Sequence, residues 1–300
     1  MKINLHTHTY RCGHAIGTEE EMVQAAIASR LEVLGLSDHI PLPHLRTHLI
    51  ESIPTSIHRF HDVLSIGKAF LYNGPGMRMP YSQKQEYLST IQHLKEKYQQ
   101  QIQIFAGFEA EYISEYLPYY RELLQHHEID YLILGHHFHR FVTGSNNYTR
   151  YPISSQRVHL YVDEAIEAMQ SGLFLYFSHP DIFLKGYGKW DDVAQSETRR
   201  LLEACQHYQF PIEVNGGGLR DCAYTFNQEK LQGYPNVYFW QEARNYDIPI
   251  LLGLDAHAPE HLGQEAIQQL EDFAQNQELT IITKPDFQTY FKHWQKGISW

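Results

Sequence analysis

Cysteine is scarce in this chain. Its three residues, Cys12, Cys205 and Cys222, are odd in number and far apart in a length of 300. Such a set is no disulfide framework and suits reduced thiols in a cytosolic setting. Long apolar runs are also missing: no stretch approaches the roughly 20 residues that span a bilayer. The N-terminus lacks a basic region followed by a hydrophobic one. The expectation is a soluble, cytoplasmic protein with no membrane partner. Positive charge is in short supply, with 24 Lys and Arg against 35 Asp and Glu, a net charge of -11. This argues against a basic nucleic-acid footprint. It also means that an anionic substrate needs locally concentrated positive charge, which bound divalent metals could supply. Repeats and low-complexity segments are absent too.

Histidine, by contrast, is abundant, at 20 residues. Most of these, including His44, His48, His58, His61, His93, His126, His127, His159, His207, His261 and His293, fall on helical patterns or polar loops and read as solvated. His139 reads as a possible neighbour of a site. The others follow a pattern.

Short apolar runs recur at Lys2–Leu5, Glu32–Ser37, Ile102–Gly107, Tyr131–Gly135, Leu173–Phe177, Pro211–Val214 and Ile248–Leu254. They are continuous rather than alternating, as strands buried on both faces of a parallel sheet should be. Helical patterns lie between them. Thr18 with Glu21 forms a capping-box pair ahead of Met22, Val23, Ala26 and Ile27. Tyr87, Ile91, Leu94 and Tyr98 repeat at helical spacing, as do Val158, Val162, Ala165, Ile166 and Met169, with Gly172 at the C′ position. Leu201, Leu202, Cys205 and Tyr208 make a further face, and Ile267 and Leu270 mark another. About seven βα units imply an α/β barrel or near-barrel. The chain then reads as a single domain, residues 1–300, with 43% hydrophobic residues to fill its core. The segment from Ile40 to about Pro80, with NGPG at Asn73–Gly76, reads as an elaborated loop, and the chain closes on LTIIT and an aromatic-rich tail.

The candidate strands end in one kind of chemistry. The first runs into His6 and His8, the second into Asp38 and His39, the third into Glu109 and the fourth into His136 and His137. The fifth reaches His179, and the last Asp255 and His257. In a parallel barrel all strand C-termini open on one face, so these groups would converge although scattered in sequence. Imidazoles and carboxylates suit Zn²⁺, Mn²⁺ or Fe²⁺, and the set is too large for one tetrahedral ion. Two to three divalent metals is the natural count. Each motif alone has a plain structural reading: HisXHis arises by chance on one strand face, AspHis can be a surface turn, and SerHisPro a helix entry. Their recurrence at strand end after strand end is what points to a site.

The motifs HTH, CGHA, SDH, GFE, HH, SHPD and DAH, spanning residues 6 to 257, resemble the PHP (polymerase and histidinol phosphatase) family. Its fold is a distorted (β/α)7 barrel, a TIM-like α/β architecture with a trinuclear metal site at the C-terminal ends of the strands. CGHAIGTEEEMVQAAI followed by LGLSDHIPLP is similar to the histidinol-phosphate phosphatase branch. So are MRM and GFEAEY within Met77–Tyr112 and VNGGGLR at Val214–Arg220. The resemblance implies His6, His8, Glu109 and Asp255 around a first metal. It implies Glu109, His137 and His179 around a second, and His14, His39 and His257 around a third. Alignment on HisPhe selects His137 over His136, and Gly216–Gly218 is richer in glycine than the family's small polar residues.

Metals lower the pKa of bound water toward about 7 and neutralise phosphoryl oxygens. The expected reaction is therefore in-line attack on a small phosphorylated metabolite by hydroxide bridging two metals, with Glu109 and Asp255 as catalytic ligands. The branch resemblance names L-histidinol phosphate, with hydrolysis to L-histidinol and phosphate in histidine biosynthesis. Arg220 is the first candidate for contact with the phosphate, followed by Arg11, Arg140 and Lys185, since guanidinium suits bidentate contact. Asp38 is a candidate proton donor to the leaving group. The imidazole and amine of the substrate call for acidic or aromatic partners, for which Tyr72–Tyr81 offers a wall. Rival readings are a phosphoesterase for another small phosphoester or diester, a metal-dependent amidohydrolase and a regulatory domain that has lost its metals. No lysine ends a candidate strand, and His14, His39 and His257 exceed what an amidohydrolase needs. The apparently complete ligand set opposes the regulatory reading. Oligomeric state is left open.

Overall fold

The computed structural model describes residues 1–47, 50, 60, 62–64, 66–67, 78–139, 147–150, 152–220, 224–226, 229–231 and 233–298. The Asn73–Gly76 turn, most of the Tyr72–Tyr81 wall and Arg140 lie outside the described residues. Seven strands pair in the order of the chain: β1 (Ile3–Asn4), β2 (Val33–Leu36), β3 (Gln103–Ala110), β4 (Tyr131–Leu134), β5 (Tyr176–Phe177), β6 (Ile212–Asn215) and β9 (Ile250–Gly253). All six pairings are parallel. The first and last strands meet through a parallel bridge between Thr7 and Ala256, where His8 N donates to the Ala256 carbonyl at 2.8 Å. The sheet is thus a nearly closed barrel. A two-stranded antiparallel hairpin, β7 (Tyr224–Phe226) and β8 (Glu229–Leu231), follows β6.

Each of the seven barrel strands falls on an expected apolar run, whereas the β7–β8 hairpin lies on none. β3 continues to Ala110, so Glu109 lies inside a strand rather than just beyond one. The helices follow their patterns. Thr18 and Glu21 cap Glu19–Ala28 reciprocally, and Met22, Val23 and Ala26 are fully buried against the sheet. Gly172 follows Ser155–Gln170 at φ 69, the left-handed C′ position its sequence implies. Tyr208 differs: it is exposed, because the buried face of Asp192–Tyr208 ends at Cys205.

Two apolar cores result. The larger lies between the helices and the outer face of the sheet. The smaller fills the barrel, where Ile3, Leu5, Val33, Tyr131, Ile133, Leu175 and Leu251 meet. The aromatic tail completes the smaller core. Residues Lys284–Ile298 form a helix whose Phe287 and Phe291 pack onto the barrel interior, with Tyr290 and Trp294 at its edge. No helix among the described residues is long and apolar enough to cross a membrane.

Candidate metal centre

His6 and His8 are alternate residues leaving β1, so both rings reach the mouth of the barrel. His39 lies three residues past β2, and Glu109 pairs beside it across a parallel bridge. His137 and His179 leave β4 and β5, and Asp255 and His257 leave β9. His14 comes from the turn after β1, anchored where Thr9 N and Oγ1 donate to the two Asp38 oxygens at 2.8 and 2.6 Å. His179 at φ 35 and Asp255 at φ 47 occupy the left-handed region. Non-glycine residues held there cluster at functional sites.

The ligand atoms form three interlocking groups. Nε2 of His6 and His8 are 3.1 Å apart, and each lies 3.3 to 3.5 Å from Glu109 Oε2 and Asp255 Oδ1. The other Glu109 oxygen faces His179 Nε2 at 3.0 Å and His137 Nε2 at 3.6 Å. His14 Nε2 and His257 Nε2 are 2.9 Å apart, with the His39 ring 5.3 Å from that of His14. His39 Nδ1 also lies 3.0 Å from Glu109 Oε2, so this imidazole stands between two groups. Eight of the nine residues line a cavity of about 450 Å³; His6 lies beneath them, fully buried. Glycine makes room for the carboxylates. A Cβ on Gly135 would stand 2.0 Å from Glu109 Oε1, and one on Gly217 2.4 Å from Asp255 Oδ2.

Further carboxylates and carbonyls orient the rings. Glu213 takes His6 Nδ1 at 3.0 Å, and Glu111, itself paired with Arg78, takes His137 Nδ1 at 3.2 Å. Carbonyls of Cys12 and Asp255 take Nδ1 of His14 and His257. Holding one ring nitrogen in this way fixes the tautomer and leaves the other as a ligand. Burial, aided by neighbouring histidines, holds His8 and His179 below the ordinary histidine range and brings His14 down to about 4. His39 is also lowered, by burial. Burial pushes Glu109 and Asp255 upward, but the surrounding histidines outweigh it and hold both well below the carboxylate range. Against the same burial, Glu213, Asp255 and Glu109 raise His6. Neutral imidazoles and ionised carboxylates are the states that bind metal. His6, and His137 raised against burial by Glu109 and Glu111, favour the protonated form, so a cation there would replace a proton. Asp255 Oδ1 and His179 Nδ1 are buried without hydrogen-bond partners, and a bound ion is one of the ways such buried polar atoms are satisfied. The donor set fits divalent cations.

A model of the PHP domain matches residues 4–217, a span holding all nine candidate ligands except Asp255 and His257. The chain belongs to the PHP family. A Deinococcus radiodurans protein assigned as a histidinol-phosphatase is 26% identical over 275 residues, covering 89% of this PHP chain and 92% of the relative. A solved structure from Listeria monocytogenes, also assigned as a histidinol phosphatase, aligns with TM-score 0.68 at 19% identity. It covers 89% of this chain and 99% of that one. Histidinol phosphate phosphatase of Lactococcus lactis, solved with zinc, L-histidinol and phosphate, aligns with TM-score 0.66 at 14% identity. The alignment covers 94% of this chain and 95% of that one. Both share this barrel fold.

The residues expected to meet substrate divide. Arg220 and Lys185 line the cavity, Lys185 Nζ lying 5.5 Å from the centre of the Tyr234 ring. Arg11 does not fit the expectation: its buried guanidinium is paired with Glu19 and with Glu86, the latter at 3.0 Å. Asp38 is likewise displaced from its expected role. Burial pushes it up to about 7, but it is fully enclosed behind His8, and Thr9 occupies its oxygens. The glycine-rich turn is a short helix, Gly216–Arg220, whose Gly217 N–H is taken by Asn215 at 2.8 Å. His136 faces away from Glu109, against Tyr148, Tyr161 and Glu164, which leaves His137 as the inward ring. His139 bonds the same Glu164 at 2.6 Å. His261, read as solvated, lines the cavity and accepts from His257 N at 3.1 Å. Sequence reasoning missed Glu213, Glu111 and Tyr234; the one signal available was the second glutamate of GFEAEY.

Proposed function

We propose that this PHP protein is a metal-dependent phosphomonoesterase that hydrolyses L-histidinol phosphate to L-histidinol and phosphate. The observation that carries the reading is the single carboxylate of Glu109 standing between three groups of ligand atoms on the floor of a cavity. His6, His8, Glu109 and Asp255 would hold one cation. Glu109, His137 and His179 would hold a second, and His14, His39 and His257 a third. Bound zinc, manganese or iron, two to three ions in all, would acidify water and neutralise phosphoryl oxygens. Zinc is the metal present in the Lactococcus lactis relative.

The chain's own groups do the remainder. Buried Glu213 and Glu111 hold His6 and His137 in the tautomer that presents Nε2 to the cavity. Lys185 brings positive charge to the cavity wall, which suits a phosphoryl group in a protein of net charge -11. Tyr234 and Ile182 give that wall an apolar part, against which an imidazole can lie. The pairing of Arg11 with Glu19 and Glu86 ties the turn carrying His14 to two helices, and that is the role we assign it. The chain would work as one unit, since its final helix fills the barrel that carries the site, and its free buried Cys12 and Cys205 suit the reducing cytoplasm.

A phosphate-release panel with metal-reconstituted protein tests this reading. Histidinol phosphate should give the highest kcat/KM among monoesters and a diester little turnover. Hydrolysis of diesters alone would overturn it.

A further inference from the structure

Arg220 lines the cavity, yet its terminal nitrogens are committed elsewhere. Nη1 donates to the Leu254 carbonyl at 2.6 Å and Nη2 to the Asp255 carbonyl at 2.5 Å. Along an extended strand successive residues face opposite ways, so consecutive carbonyls diverge and one planar fork does not span them. Here they converge because Asp255 leaves β9 at φ 47, in the left-handed region. The Asp255 carbonyl is shared by His257, whose Nδ1 lies 2.9 Å away.

This turn serves two ligand groups at once. The Asp255 carboxylate faces His6 and His8 at 3.4 and 3.3 Å. Two residues on, His257 faces His14 at 2.9 Å. Gly217, in the same short helix as Arg220, leaves the space into which Asp255 Oδ2 fits. A guanidinium presents donors in a rigid fork, whereas an ammonium is a compact point charge that does not bridge two carbonyls in this way.

We propose that Arg220 is a positioning residue: its fork selects the left-handed conformation of Asp255 and thereby aims Asp255 and His257 at two different metals. The inference rests on the metal-centre reading above, though not on the identity of the substrate.

Calorimetric titration of Zn²⁺ into chelator-stripped wild type, Arg220→Lys and Arg220→Met tests it, with the fold of each stripped protein checked by circular dichroism. Both variants should bind zinc at least about tenfold more weakly, the range seen when a group orienting a ligand is removed. Lysine should do no better than methionine. Zinc binding by Arg220→Lys equal to wild type, with only KM raised, would overturn the proposal and leave Arg220 a phosphate contact. Arg220→Lys keeps the charge and most of the stem, so it carries the test should Arg220→Met misfold. A wild type that binds zinc but spares histidinol phosphate would sink the substrate assignment and leave this inference standing.

Discussion

Glu109 sits where five imidazoles meet, those of His6, His8, His39, His137 and His179, at 3.0 to 3.6 Å from its two oxygens. A glutamine there keeps the shape but loses the charge that two cations would share. Glu109→Gln, and equally Asp255→Asn, should lower turnover at least about a hundredfold, the upper end of what even an outer partner of a metal ligand costs. The circular-dichroism spectrum of the metal-free protein should be unchanged while its thermal melt at neutral pH falls. A carboxylate that the surrounding histidines hold below its ordinary range contributes stability when ionised, and the amide loses it. Near-wild-type rates would refute the metal assignment. At this scale eight of the nine candidate ligands were legible because they recur at strand ends, whereas His14, on the turn after β1, was reached only through the family resemblance. The supports of the ligands were not legible. Glu213 in IEVN reads as well for a solvated residue, and only closure of the barrel brings it to His6. Arg11 lies between His8 and His14 in sequence, but the short 3₁₀ turn Tyr10–Cys12 carries it to Glu19.

Among the elements, the strands and the main helices were written in local pattern, and a parallel order follows once helices separate the strands. What pattern does not reveal is where the last helix goes. Phe287, Phe291 and Trp294 repeat at helical spacing, but the surface that receives them exists only when seven strands have closed around Tyr131 and Leu251. Phe287 is 1% exposed. Phe287→Ala should cost about 3–5 kcal/mol of stability in urea unfolding. Its effect on kcat should be small, since the metal-type residues lie at the opposite, C-terminal ends of the strands. An unchanged unfolding midpoint would show that the helix does not seal the core.

For the molecule as a whole, scarcity of positive charge and abundance of histidine are two sides of one design. A chain of net charge -11 repels a phosphate dianion. Its barrel nevertheless gathers eight ligand-type residues beside Lys185 and Arg220 in one cavity of about 450 Å³, with His6 beneath them. Bound cations would reverse the sign of the field there while leaving the rest of the surface acidic. The most direct test is phosphate release from histidinol phosphate by chelator-stripped protein, before and after Zn²⁺ is returned. The rate should vanish on stripping and recover with the metal. Undiminished hydrolysis by protein shown to be metal-free would contradict the account.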